Sequence, residues 1–161
     1  MDIRMASAME MLTLWGYKNV DSASTTAQFF YRNICAGNAI FWAIDNGGQL
    51  IGELYAFLNL PTDKDYADGE CRAYLCAFRV QNAYRGQGLG AKLMNVVLDD
   101  LRCRGFVYAT IGVDDAKNEQ LYRSMGFTRV LKTCYADPCA MTADMRPERV
   151  KSGYKLLAKI L

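Results

Sequence analysis

Tyr74-Leu-Cys-Ala-Phe-Arg-Val-Gln-Asn-Ala-Tyr-Arg-Gly-Gln-Gly-Leu-Gly90, continued by Ala91-Lys-Leu-Met-Asn-Val-Val-Leu-Asp-Asp-Leu-Arg-Cys-Arg104, is the stretch on which the reading of this chain turns. Tyr74 to Val80 is apolar and rich in residues that favour strands. Three glycines then fall at alternate positions, Gly86, Gly88 and Gly90. Beyond them Leu93, Val97 and Leu101 recur at helical spacing, Met94 and Leu98 widen the same face, and Gly105 stands where a left-handed residue ends a helix. The stretch predicts a strand, a glycine loop and a helix.

Such a loop exposes successive backbone N–H groups at the positive end of a helix dipole, which makes a seat for phosphate. Arg85 adds a fixed positive charge at its rim. Two phosphate-binding patterns fit. Gly86, Gly88 and Ala91 satisfy the dinucleotide fingerprint G-x-G-x-x-G/A. Arg85, Gly88 and Gly90 satisfy R/Q-x-x-G-x-G/A.

The rest of the chain decides between them. A length of 161 residues with 52% hydrophobic content predicts one globular domain, residues 1–161. No apolar run is long enough to span a membrane and the N-terminus lacks a leader pattern, so an intracellular, cytoplasmic protein without a membrane partner is expected. A net charge of +2 with no basic block gives nucleic acid no support. The six cysteines contain no C-x-x-C pair and read as reduced core or edge residues. There is no histidine, which removes Ser-His-Asp and Cys-His mechanisms and most metal sites; no metal is expected.

Taken in order, Asp2 to Met5 predicts a short strand. Ser7 with Glu10 is a capping box that opens a helix ended near Gly16. A second helix is expected from about Ser24 to Gly37. Ala39 to Ile44 and Gln49 to Leu60 are strands joined by the turn Asp45-Asn46-Gly47-Gly48. Residues 61–70 carry four carboxylates and one lysine, which reads as a solvated hairpin loop or, less simply, as an acidic lip for a cationic substrate. After the glycine loop and its helix, Phe106 to Val113 returns as a parallel strand by a right-handed crossover. Asp114 or Asp115 caps a short helix to about Met125. Phe127 to Tyr135 and Gly153 to Leu161 are strands, and residues 136–152 read as a long excursion. A doubly wound nucleotide fold needs further β-α units beyond Val113, and none remain.

This order of elements, with Arg85-Gly-Gln-Gly-Leu-Gly90 and Asn118-Glu-Gln-Leu-Tyr-Arg-Ser-Met-Gly-Phe127, resembles the GNAT N-acetyltransferase superfamily along nearly the whole chain. In the second segment the asparagine and tyrosine stand four apart, closer than in the family's usual signature. The resemblance implies an α/β fold of about seven mostly antiparallel strands, one central parallel pair and about four helices. It implies acetyl-CoA as cofactor and transfer of acetyl to a primary amine of a small molecule or peptide, in a monomer or homodimer. The backbone of Phe78, Arg79 and Val80 would pair with the pantetheine arm. The segment Arg85, Gly86, Gln87, Gly88, Leu89, Gly90 and Ala91 would hold the pyrophosphate, with Asn118, Tyr122 and Arg123 nearby.

Tyr122 would protonate the departing thiolate. Some members carry a glutamate where this chain has Tyr74, so the base stays open among Tyr74, Glu53 and Glu70 acting through water. Alternate positions 74, 76, 78 and 80 are expected on one strand face. The alternatives are a non-catalytic acyl-CoA sensor of the same fold, or a protein that binds NAD or FAD.

Overall fold

The computed structural model describes all residues, 1–161, and its sheet is built around the stretch quoted first. In chain order the elements are β1 (Asp2–Ala6), α1 (Ala8–Leu14), α2 (Thr25–Cys35), β2 (Ala39–Asn46), β3 (Gln49–Phe57), β4 (Arg72–Val80), α3 (Leu89–Cys103), β5 (Tyr108–Val113), α4 (Ala116–Ser124), β6 (Arg129–Met141) and β7 (Pro147–Ile160). The seven strands form one sheet in the order β1-β2-β3-β4-β5-β7-β6. Only β4 and β5 run parallel, joined by α3 as the crossover. The single parallel pair ends the dinucleotide reading, which requires a sheet wound in both directions from its switch point.

Local chemistry fixes the helix ends. Ser7 Oγ accepts from Glu10 N while Glu10 Oε2 accepts from Ser7 N, a complete capping box. Ser24 caps α2 through Ala27 N, and Asp115 caps α4 through Asn118 N. Two hydrophobic layers then clamp the sheet. On one face α3 lays Leu93, Met94, Val97, Leu98 and Leu101 against Leu54, Leu75 and Ile111. On the other, α1 and α2 close over an aromatic core in which Phe41 stacks on Tyr55 at 4.6 Å and Phe30 meets Tyr55 edge-on at 5.1 Å.

The expected boundaries shift in three places. β3 stops at Phe57 rather than Leu60, and a lone bridge from Asn59 to Asp68 takes over. The loop 61–70 is solvated at most of its positions but anchored at its centre, where Tyr66 and Ala67 are buried and Thr110 Oγ1 donates to Tyr66 O at 2.7 Å. Residues 136–152 are no excursion, because β6 runs on to Met141 and β7 starts at Pro147. Register shifts at three points along this hairpin break its alternation, which is why no period shows in the sequence. Pro138 is tolerated because β6 is an edge strand. The hairpin's far end folds onto α2, where Thr25 Oγ1 donates to Met141 O and Met141 N to Thr26 Oγ1.

Candidate functional site

β4 and β5 pair only from Arg72 to Leu75 against Tyr108 to Ile111. Past that point β5 keeps β7 as its partner, β4 keeps β3, and the two strands part. The cause is a bulge in β4. Between the pairs Tyr55↔Cys76 and Glu53↔Arg79, β4 spends three steps for two on β3, and Ala77 takes a positive φ of 52°. The extra residue bends the strand and opens a wedge in the middle of the sheet.

The bulge also reverses the faces. Ala73 and Leu75 lie in the α3 layer and Tyr74 and Cys76 against the α1/α2 layer. Beyond Ala77 it is Phe78 and Val80 that pack on the α3 layer. Positions 74, 76, 78 and 80 therefore do not share a face, because the inserted residue resets the twofold alternation. Arg79 turns to the α1 side, where its guanidinium lies 3.6 Å from Glu53 and 5.7 Å from the Trp15 ring centre.

On the α3 side the wedge is edged by main chain. Gln81 N donates to Ile51 O, so by alternation the backbone groups of Phe78 and Val80 point away from β3 into the opening. Arg85 Nε donates to Val80 O at 2.8 Å and ties the glycine loop to the strand end. None of the amides from Gly86 to Ala91 has a backbone acceptor; the first bond of α3 is Lys92 N to Gly88 O. Gly88, the N-cap, is left-handed at φ 75° and offers no side-chain cap, and a Cβ there would meet nothing within 4 Å. A row of unpaired N–H groups at the head of a 15-residue helix, with open space in front of it, fits a diphosphate.

Tyr122, on α4, packs on the α3-side core beside the strand end, its ring 6.5 Å from Phe78 and 6.5 Å from Phe127. Burial, with the charges of Asp115 and Asp114, raises its phenol above the ordinary value. Asn118, one turn earlier, is exposed and engaged at the helix start, with Nδ2 donating to Asp115 Oδ2 at 2.8 Å. Arg123 is held by Glu119 at 2.9 Å and by Thr128 O, so it secures the end of α4.

The remaining candidates lie on the opposite face. Glu53 is buried, accepts from Trp15 Nε1 at 2.9 Å, and lines a recess of about 400 Å³ with Leu14, Arg79, Gln81 and Arg85. Tyr74 stands near the other end of the wedge, in a second recess of about 200 Å³ with Gly112, Asp114, Asp137 and Tyr154. Tyr74 pairs in register with Phe57 and Thr110, Glu53 with Arg79, so the structure does not bring Glu53 and Tyr74 together. Burial pushes the Tyr74 phenol well up, which keeps it protonated. Glu70 is exposed in the turn before β4.

The acidic segment before β4 is spoken for. Asp63 and Asp65 both hold Lys132 at 2.9 Å, and Asp68 accepts from the amides of Glu70, Cys71 and Arg72. No acidic lip remains. Sequence reasoning does not single out Asp137 or Tyr154. Both sit on the β6–β7 hairpin, and only the pairing of those strands over β5 carries them to the wedge.

Residues 6–127 match the model of the Acetyltransferase (GNAT) family. N-acetyltransferase 8 of Rattus norvegicus is 34% identical over 91 residues, 55% of this chain and 39% of that protein. The chain thus spans about two fifths of the length of that curated relative. Among solved structures, the ribosomal-protein-S18-alanine N-acetyltransferase from Escherichia coli superposes with a TM-score of 0.67 at 18% identity, covering 99% of this chain and 92% of that one. A GNAT family acetyltransferase from Elizabethkingia anophelis with acetyl-CoA bound superposes with a TM-score of 0.63 at 15% identity, covering 99% and 97%. At these identities the structural likeness speaks for the fold.

Proposed function

The chain belongs to the GNAT acetyltransferase family, and from that premise we propose that residues 1–161 are one domain that transfers acetyl from acetyl-CoA to a primary amine. The family uses acetyl-CoA, and one observation on this chain carries the reading: the glycine loop, whose amides from Gly86 to Ala91 are unpaired, packs at Gly90 beside Phe78 and Val80, where β4 has parted from β5. Acetyl-CoA would supply an activated acyl group and a thiolate leaving group. The amides of Gly86 to Ala91 would hold its diphosphate, and the backbone of Phe78 and Val80 would pair with its extended arm.

Each remaining role follows from what a residue can do with a proton. Tyr122, packed beside Phe78 with its proton retained, would donate to sulfur as general acid. An N–H of Phe78 or Val80, turned into the cleft, would stabilise negative charge on the acyl oxygen. Tyr74 keeps its proton and so serves as a hydrogen-bond partner, not as the base. Glu53, on the acceptor side, would receive the amine's proton through water, and its bond from Trp15 fixes its orientation. A non-catalytic acyl-CoA sensor is favoured by one feature, the phenol of Tyr74 where some members carry a carboxylate.

The test is thermal unfolding with acetyl-CoA, CoA, NAD and FAD, on the native chain and a Gly88→Asp variant. A ligand at a hundredfold over its Kd stabilises by about 2.7 kcal/mol. Acetyl-CoA and CoA are expected to raise the midpoint in the native chain and not in the variant, whose carboxylate stands where the anion sits. A shift with NAD or FAD alone would overturn the reading. Release of free thiol with an amine panel then separates transferase from sensor.

A further inference from the structure

Two thiols meet where the last hairpin comes over the bulged strand. Cys76 immediately precedes the left-handed Ala77 and pairs in register with Tyr55. It is half-buried and packs on the α1/α2 layer. Cys139 enters the same layer from β6 and is only 4% exposed. In the sheet β5 and β7 separate the two strands, so only the bending of the hairpin over that face brings β6 to β4. Several bonds hold it there. Tyr154 Oη donates to Ala136 O at 2.9 Å, Thr25 Oγ1 donates to Met141 O at 2.8 Å, and Asp137 Oδ1 accepts from the amides of Cys139 and Ala140 at 2.9 and 3.3 Å.

The surroundings give the two thiols different reactivity. The Cys139 thiol is in contact with that of Cys76, and both border the Tyr74 phenol. Burial, together with the Cys76 contact, pushes the Cys139 thiol well above its ordinary value, so it stays protonated. Cys76 is the member of the pair that solvent reaches. Both stand beside irregular backbone: Cys76 next to the bulge, and Cys139 inside the register shift between Asp137 and Met141. The other cysteines lie apart. Cys35 and Cys103 are exposed at the ends of α2 and α3, Cys71 stands in the turn before β4, and Cys134 is buried against Tyr66. Neither Cys76 nor Cys139 has a part in the acyl transfer proposed above.

We propose that Cys76 and Cys139 form a dithiol that hydrogen peroxide converts to an intramolecular disulfide, stapling the β6–β7 hairpin to the bulged strand. The Cys76 sulfur attacks one peroxide oxygen, the O–O bond breaks and one water leaves, which makes a sulfenic acid on Cys76. The Cys139 sulfur then attacks the Cys76 sulfur. Its proton departs with the hydroxyl as a second water, and the S–S bond closes. Peroxide takes up both electrons, and dithiothreitol returns them by thiol–disulfide exchange. The chain between the two cysteines contains α3, β5 and α4, so the bridge closes a long loop, the case in which a cross-link most restricts the unfolded chain. The staple acts on the hairpin that carries Asp137 and Tyr154 over β5, and it leaves the glycine loop on the α3 side free. It does not depend on acetyl transfer.

The native chain, kept dilute to suppress links between molecules, is treated with stoichiometric hydrogen peroxide and its remaining thiols are alkylated. Mass spectrometry of the peptides is expected to show Cys76 joined to Cys139, with two fewer cysteines alkylated and full recovery after dithiothreitol. The thermal midpoint of the oxidised chain should rise by about 5 °C or more over the reduced one. That rise should be absent in Cys76→Ala and in Cys139→Ala and retained in Cys35→Ser and Cys103→Ser, whose thiols are exposed. If either alanine variant fails to fold, the peptide map of the native chain decides alone. Cys76 found as a sulfinic acid or linked to another cysteine while Cys139 stays free would overturn the assignment. So would a mapped Cys76–Cys139 bridge that leaves the midpoint where it was, since the hairpin would then not be stapled by it.

Discussion

Tyr122 and Tyr74 are both phenols whose burial holds the proton on, and their surroundings give them different work. Tyr122 lies on the α3 side, against Phe78, where a leaving sulfur would sit. Tyr122→Phe is expected to lower kcat by roughly 10²-fold, the usual size of a general-acid contribution, and to leave the acetyl-CoA melting shift in place. An unchanged kcat in steady-state assays would remove Tyr122 from the chemistry. The basic limb of the native rate profile should also lie above the ordinary tyrosine value, since the raised phenol deprotonates later. Tyr122 could be proposed from the sequence because its spacing from Asn118 and from Gly126-Phe127 is local. Asp137 could not: its neighbours Pro138 and Cys139 say nothing about a site, and it comes to the Tyr74 recess only through strand pairing.

At the scale of elements, helices declare themselves and the bulge does not. Capping boxes, apolar spacing and terminal glycines are local, so α1, α2, α3 and α4 could be read off with their ends. The bulge at Ala77 shows only in how β4 pairs with β3, and alanine carries no signal for a positive φ. Alternation drawn straight through it misplaced Phe78 and Val80 for that reason. A left-handed alanine costs roughly 1 kcal/mol, and a β-branched residue more. Ala77→Gly should therefore melt at or above the native midpoint. Ala77→Val should lose about 1–2 kcal/mol and weaken acetyl-CoA binding, because it strains the bend that opens the wedge. Denaturant unfolding of the pair checks this; equal stability of both variants would mean the bulge is not held by that residue.

For the molecule as a whole, acid stability follows from carboxylates held low. Arg4, with Ser7 N, brings Glu10 down from 4.5 to about 2, and Lys132 and the Lys155–Arg123 pair lower Asp65 and Glu119. Each folded value lies below the unfolded one, so their stabilisation is complete above about 4.5 and drains away as pH falls towards about 2. Melting temperature should stay level from neutral pH to about 5 and then drop; a midpoint at pH 3 equal to that at pH 7 would contradict it. The single parallel pair was readable from the sequence because one helix joins its two strands as a crossover, whereas the order of the seven strands was not read from it. How far the last hairpin reaches over β5 was not, since it depends on where bulges fall in two long, half-exposed strands. The reversal of faces at Ala77 has one more result. The strand changes which of its alternate residues face α3: Ala73 and Leu75 before the bulge, Phe78 and Val80 after it. Under the proposed function, changes at 74 and 76 would reshape one face of β4 and changes at 78 and 80 the other, so the two faces could vary separately.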